Sequence, residues 1–233
     1  MHSTQSVDEY KAEITRYLNA FARSLPTHIA ASVISRTKQP GIATWSRETL
    51  LWRFTEIAQD ALEKLNAKRY PSAMLLTRAA VETTAALWYL EAKIEKALAS
   101  RKIAELDEKL PRLVLGQKDP IAHADGLPDA INVTTFLDHV ESIIAGYKEQ
   151  YAALCEYSHP NYNGTAGLYS HAHKETGTID LGPNIRGAET HDTICAVNLS
   201  VAAMMFHHSY EAIGDSLPAL VKLSETLIPP NQK

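Results

Sequence analysis

The chain has 233 residues, of which 45% are hydrophobic, with a formal net charge of −4 (histidine neutral), ten histidines and two cysteines. That length accommodates one large domain or two small ones. Basic residues are scattered rather than clustered, which excludes a strongly electrostatic DNA-binding surface and leaves room for a local RNA or nucleotide pocket.

The start of the chain, MHSTQSVDEYKAEITRYL, lacks the apolar stretch of a secretory signal. No run approaches the roughly 20 apolar residues that span a bilayer. The nearest, CAVNLSVAAMMF (195–206), is too short and is followed by two histidines. Two cysteines without an export signal read as reduced thiols, so the Asn163-Gly164-Thr165 acceptor sequence has no consequence. The expectation is a soluble cytoplasmic protein that does not enter a membrane.

In chain order, residues 4–36 carry apolar side chains at helical spacing (Tyr10, Ile14, Tyr17, Leu18, Phe21, Leu25), with Pro26 bending or splitting the segment. KQPGIAT (38–44) reads as a breaker, after which Thr44 or Ser46 caps a helix over about 46–68. Pro71 suits the first turn of a third helix, which extends to about residue 98. Pro111, Gly116, Pro120, Gly126 and Pro128 make 111–134 loop-like. A helix resumes near Thr134 or Thr135 and continues to Ser158, with Gly146 as a point of interruption.

Residues 159–190 form a polar insertion. Alternation in Leu168–His173 and Thr178–Leu181, joined by Glu175-Thr176-Gly177, predicts a small β-hairpin there. A last helix covers about 189–214, and 228–233 is a tail. Alternating strands and helices are missing. The predicted fold is therefore one all-α helical bundle over 1–233, with its core at about 45–215, an N-terminal helical segment at 1–37 and one polar loop.

Two segments carry candidate chemistry. SAMLLTRAAVETTAALWYL (72–90) contains only two charges, Arg78 and Glu82, four residues apart on one face with Tyr89 continuing the stripe. Such a pair in an apolar helix is either a structural ion pair fixing helix register or the wall of an internal polar pocket. In YAALCEYSHPNYNG (151–164), Tyr151, Cys155 and His159 extend a stripe that begins at Tyr147. Pro160 forces His159 out of helical geometry, placing its imidazole at the helix C-terminus. Asn161, Tyr162, Asn163 and Gly164 then favour a turn. The polar density of Tyr157, Ser158, His159, Asn161, Tyr162 and Asn163 points equally to helix capping and to a ligand or catalytic role for His159.

An apolar helix bearing R-x-x-x-E (Arg78, Glu82), followed by Y-x-x-L-x-x-x-S-H-P (Tyr151, Leu154, Ser158, His159, Pro160), is similar to a group of uncharacterised bacterial helical proteins. These resemble, at a distance, the HEPN superfamily (higher eukaryote and prokaryote nucleotide-binding domains), and the likeness covers about residues 45–210. It implies a helical bundle, often homodimeric, with many relatives acting as RNases or nucleotide-directed partners in toxin and phage-defence systems. The superfamily's RNase signature is Arg, four to six residues, then His on one helix. No arginine stands at that spacing before His159, His171, His173, His207 or His208. Arg186 and His191 do have four residues between them, at the edge of a Gly/Pro loop.

No cofactor is expected. A divalent metal is conceivable from His159, His171, His173 and His207, but no H-E-x-x-H or Cys-x-x-Cys signature accompanies them. Cys155 and Cys195 read as small core residues. Three functions follow: a HEPN-like binding or interaction protein with a polar pocket around Arg78, Glu82, Tyr151 and His159; an RNA- or nucleotide-directed enzyme using His159 as acid or base with Arg78 on phosphate; and a histidine-rich metal-binding protein.

Overall fold

The computed structural model describes residues 5–29, 37–119 and 126–227. The 228–233 tail and parts of the N-terminal segment and of the 111–134 loop lie outside them. Eight helices and one two-stranded hairpin are described: α1 Val7–Ser24, α2 Lys38–Asn66, α3 Tyr70–Ser100, α4 Ala104–Val114, α5 Val133–Glu141, α6 Tyr147–Ser158, α7 Ala166–Tyr169, β1 Ser170–His173, β2 Thr178–Leu181 and α8 Glu189–Thr226. The all-α bundle with a small hairpin is what the sequence predicts.

Helix α1 starts on a capping box, in which Ser6 Oγ accepts from the Glu9 amide and the Glu9 carboxylate accepts from that of Ser6. It stops at Leu25, which is extended because Pro26 follows it. Helix α2 corrects the expectation of a breaker at 38–44: Pro40 sits in its first turn, where the missing N–H leaves no bond unmade. Thr44 and Ser46 are therefore buried inside the helix rather than capping it, and Thr44 Oγ1 donates to the Pro40 carbonyl.

Helix α3 begins beside Pro71 as predicted and ends on Arg101 in left-handed conformation. Helix α4 was unexpected, since Pro111 hides it. Leu106 and Leu110 still face the core on one stripe, and Glu105 is tied to α3 by Lys93 and Lys96 at 2.6 and 2.5 Å. Between α5 and α6 the chain turns at Gly146, whose φ of +88° favours glycine.

Helix α8 runs 38 residues, well past the predicted end at 214 and through Pro218. Gly214 is a packing device there: a Cβ would lie 2.9 Å from Arg47 Nη2, and that guanidinium covers the Tyr210 ring at 3.4 Å. Helices α3 and α8 form the centre of the bundle, joined where Thr84 Oγ1 donates to the Ala202 carbonyl and Trp88 Nε1 to that of Met205. Helices α1 and α2 close one side through a stacked Phe54–Phe206 pair (ring centroids 4.3 Å apart), with Phe21 edge-on to both rings. Helix α6 covers the other side, where Tyr147 donates to the Val81 carbonyl. Among the described residues, no helix is long and apolar enough to cross a membrane.

Candidate functional site

Five of the sequence-selected residues sit on two helices, Arg78, Glu82 and Tyr89 on α3 and Tyr151 and Ser158 on α6. Arg78 Nε donates to Glu82 Oε1 at 3.0 Å and to the Tyr151 hydroxyl at 3.2 Å, and that hydroxyl donates to Glu82 Oε1 at 2.7 Å. The Arg78–Glu82 pair expected from helical spacing is present, and the Tyr151 hydroxyl joins it. Burial and the adjacent Glu82 carboxylate push the Tyr151 phenol well above the ordinary tyrosine range, so it stays a donor at neutral pH. The ion pair is half-buried rather than enclosed, with side chains 29% and 24% exposed. Tyr89 does not join it: three helical turns on, it is buried against Phe136 and His139.

His159 ends α6 with extended backbone (φ −94°, ψ 151°), as Pro160 demands. Its side chain is exposed and makes no hydrogen bond or ring contact with described residues. It stands two turns, about 12 Å along the helix axis, from Tyr151. The remaining polar residues build the turn itself. Ser158 Oγ donates to the Leu154 carbonyl, Asn161 Nδ2 to Glu156, and Asn161 Oδ1 accepts from the Gly164 amide at 3.0 Å. The chain doubles back so tightly that a Cβ on Gly164 would lie 1.9 Å from the His159 carbonyl oxygen.

That doubling back walls a polar cavity of about 500 Å³ at the start of α8, lined among others by Tyr157, Tyr162, Asn163, Arg186 and His191. Gly187, with φ +95°, turns the chain from the Arg186 loop into the helix, and His191 lies in the first turn. Arg186 Nε donates to the Ser170 carbonyl at 2.6 Å while its guanidinium sits 5.7 Å from the Tyr162 ring. The His191 ring lies between Tyr157, edge-on at 5.5 Å, and Tyr70 at 5.3 Å. The α8 terminus has no side-chain cap, which leaves its first amides without a side-chain partner. Glu189 also lines the cavity and brings a negative charge to it. Of the polar group singled out at the end of α6, Tyr157, Tyr162 and Asn163 line this cavity, whereas Ser158, His159 and Asn161 do not. Arg186 and His191 carried one signal, their spacing, and it was obscured by the Gly/Pro loop around them.

The other histidines are dispersed. His171 and His173 share a face of the hairpin, with ring centroids 4.7 Å apart, and His173 Nε2 meets Asp180 Oδ2 at 2.7 Å. His207 lies on α8 beside Tyr17 and Phe21. Among the described residues no three His, Cys, Asp or Glu side chains come together to hold an ion. Cys155 is half-buried and Cys195 fully buried, where desolvation pushes its thiol up to about 12.

No protein-family model, no curated protein and no solved structure matches the chain.

Proposed function

We propose that this protein is a HEPN-like helical binding protein whose site is the cavity at the start of α8, and that it takes a phosphate-bearing ligand, a nucleotide or RNA. The observation that carries this is the convergence of Arg186 and His191 with Tyr157 and Tyr162 in one 500 Å³ space. A guanidinium, an imidazole and uncapped helix amides supply donors for phosphate oxygens, and the tyrosine rings offer faces to a base. The volume lies in the range of small-molecule sites. Arg78, Glu82 and Tyr151 then act as a brace holding α6, and with it the SHPNYNG turn, against α3. A homodimer and a cytoplasmic location accompany this reading.

The Arg186–His191 spacing favours a second reading, an RNA-cleaving enzyme. His191 would take the proton of a ribose 2′-hydroxyl as that oxygen attacks the adjacent phosphorus. The P–O5′ bond then breaks, a 2′,3′-cyclic phosphate forms, the leaving oxygen takes a proton from water, and Arg186 stabilises the charge on phosphorus. His191 has this role rather than His159 because His159 stands outside the cavity wall.

Calorimetric titration with AMP and with a short single-stranded RNA tests both. Arg186→Ala should weaken binding about tenfold or more, the loss of one charge-assisted contact worth about 1.5–3 kcal/mol, while His159→Ala leaves it within twofold. Equal losses from both variants would return the site to His159. RNA cleavage abolished by His191→Ala, with binding retained, selects the enzyme.

A further inference from the structure

Arg186 enters the cavity from the loop that follows the β1–β2 hairpin, and it is bonded to that hairpin. The strands pair in a register running from Ser170↔Leu181 to His173↔Thr178, and at the open end the Gly182 amide donates to the Tyr169 carbonyl. Hydrogen-bonded and non-bonded pairs alternate along an antiparallel ladder. Tyr169–Gly182 is a bonded pair, so His171–Asp180 is the next one, and Ser170 between them turns its main-chain groups outward. Both of those groups are engaged. The Ser170 amide donates to the Ala166 carbonyl, and the Ser170 carbonyl accepts from Arg186 Nε at 2.6 Å. That bond uses Nε and leaves the two terminal nitrogens of the guanidinium for the cavity.

The hairpin has little else to hold it. None of its strand residues is buried, and a two-stranded hairpin with no buried face is marginal in water. Its internal ties are the cross-strand bond of His173 Nε2 to Asp180 Oδ2 at 2.7 Å and the turn at Gly177. Gly177 has φ +67°, and its amide donates to the His173 carbonyl at 2.9 Å. No strand residue lines the cavity. We propose that the hairpin positions Arg186, and that His173, Asp180 and Gly177 are positioning residues that act on the cavity's ligand through that arginine alone. An arginine side chain gives up rotamer freedom when it grips an anion; one whose Nε already rests on a fixed carbonyl has given up much of it beforehand, which raises affinity. The linkage is reciprocal: an anion held by Arg186 favours the formed hairpin by the same factor. The effect on a ligand rests on the cavity being the binding site proposed above, while the tie between Arg186 and the hairpin does not.

The test uses the full chain. Asp180→Ala removes the cross-strand bond, Asp180→Asn keeps an acceptor for His173, and Gly177→Val puts a β-branched residue at positive φ and so opens the turn. The ¹H–¹⁵N resonance of Arg186 Nε, assigned by its loss in Arg186→Lys, should exchange slowly with solvent in wild type. Exchange should quicken about two- to fivefold in Asp180→Ala, the range of one cross-strand pair, and further in Gly177→Val. Asp180→Asn should restore the wild-type rate, and Tm, set by the helical core, should stay near the wild-type value throughout. AMP affinity should fall in the same order. In an Arg186→Ala background the hairpin variants should weaken AMP binding no further, and additive losses there would overturn the proposal, because the hairpin would then reach the ligand by another route. Arg186 exchange unchanged in Gly177→Val overturns it as well. Wild type that fails to bind AMP counts against the cavity's ligand, while the Nε exchange still decides whether the hairpin holds Arg186.

Discussion

Gly164→Ala isolates the contact on which the SHPNYNG turn depends. A Cβ at that position would meet the His159 carbonyl oxygen at 1.9 Å, its carbon at 3.0 Å and the Tyr157 carbonyl oxygen at 3.1 Å. All three are backbone atoms, so relief requires the chain to move rather than a side chain to rotate. Forced overpacking of this kind costs about 1–3 kcal/mol. At about 2–4 °C per kcal/mol for a domain of this size, Tm should fall by roughly 2–12 °C. Gly182→Ala is the control: a Cβ there meets nothing within 4 Å, and its φ is not in the left-handed region. Its only effect is to restrict the unfolded chain, which stabilises by about 0.4–1 kcal/mol. Thermal unfolding of both variants by circular dichroism reads the difference. Because Tyr162 and Asn163 belong to the cavity wall, Gly164→Ala should also weaken AMP binding, while Gly182→Ala should not. Equal Tm values for the two variants would refute the steric reasoning, and a destabilised Gly164→Ala that bound AMP normally would separate the turn from the site.

Two further outcomes follow from the helix contacts. Tyr151→Phe removes the hydroxyl that joins Arg78 to Glu82 and should cost about 1 kcal/mol; a double-mutant cycle with Arg78→Ala should show coupling of at least about 0.5 kcal/mol, and additivity would mean the triangle is not formed in solution. Glu105 is held at about 2 by Lys93 and Lys96, and a carboxylate depressed on folding contributes stability above its unfolded value that is lost as pH falls through the folded one. The decline in Tm between about pH 4.5 and pH 2 should therefore be shallower in Glu105→Gln, by a modest amount because the side chain is 38% exposed; an unchanged slope would mean the α3–α4 contact is screened out.

Helical periodicity located α1, α3 and α6 because their apolar stripes are uninterrupted, and alternation located the hairpin within two residues of its start. Errors arose where a breaker residue is tolerated by context. Pro40 costs nothing in a first turn, Pro111 sits in the last turn of a helix anchored by Leu106 and Leu110, and Gly214 makes room for a guanidinium. Of the candidate site, the Arg78–Glu82–Tyr151 triangle was legible because two members are four residues apart on one helix and the third stands on a recognisable stripe. The cavity was not. It is closed by Tyr157 from α6, Tyr162 from the turn and Arg186 from a distant loop, and no local pattern encodes that meeting.

Charge burial alone does not mark a binding site. The more enclosed Arg–Glu pair is Arg47–Glu48, with side chains 14% and 10% exposed, and it escapes a search for helical spacing because its members are adjacent in sequence. Yet that pair is complete. Glu48 accepts from Arg47 and, through its other oxygen, from the Tyr210 hydroxyl at 2.9 Å, and Arg47 Nε donates to the Tyr210 carbonyl at 3.0 Å. A saturated network of this kind holds α2 to α8 and has little left to offer a ligand.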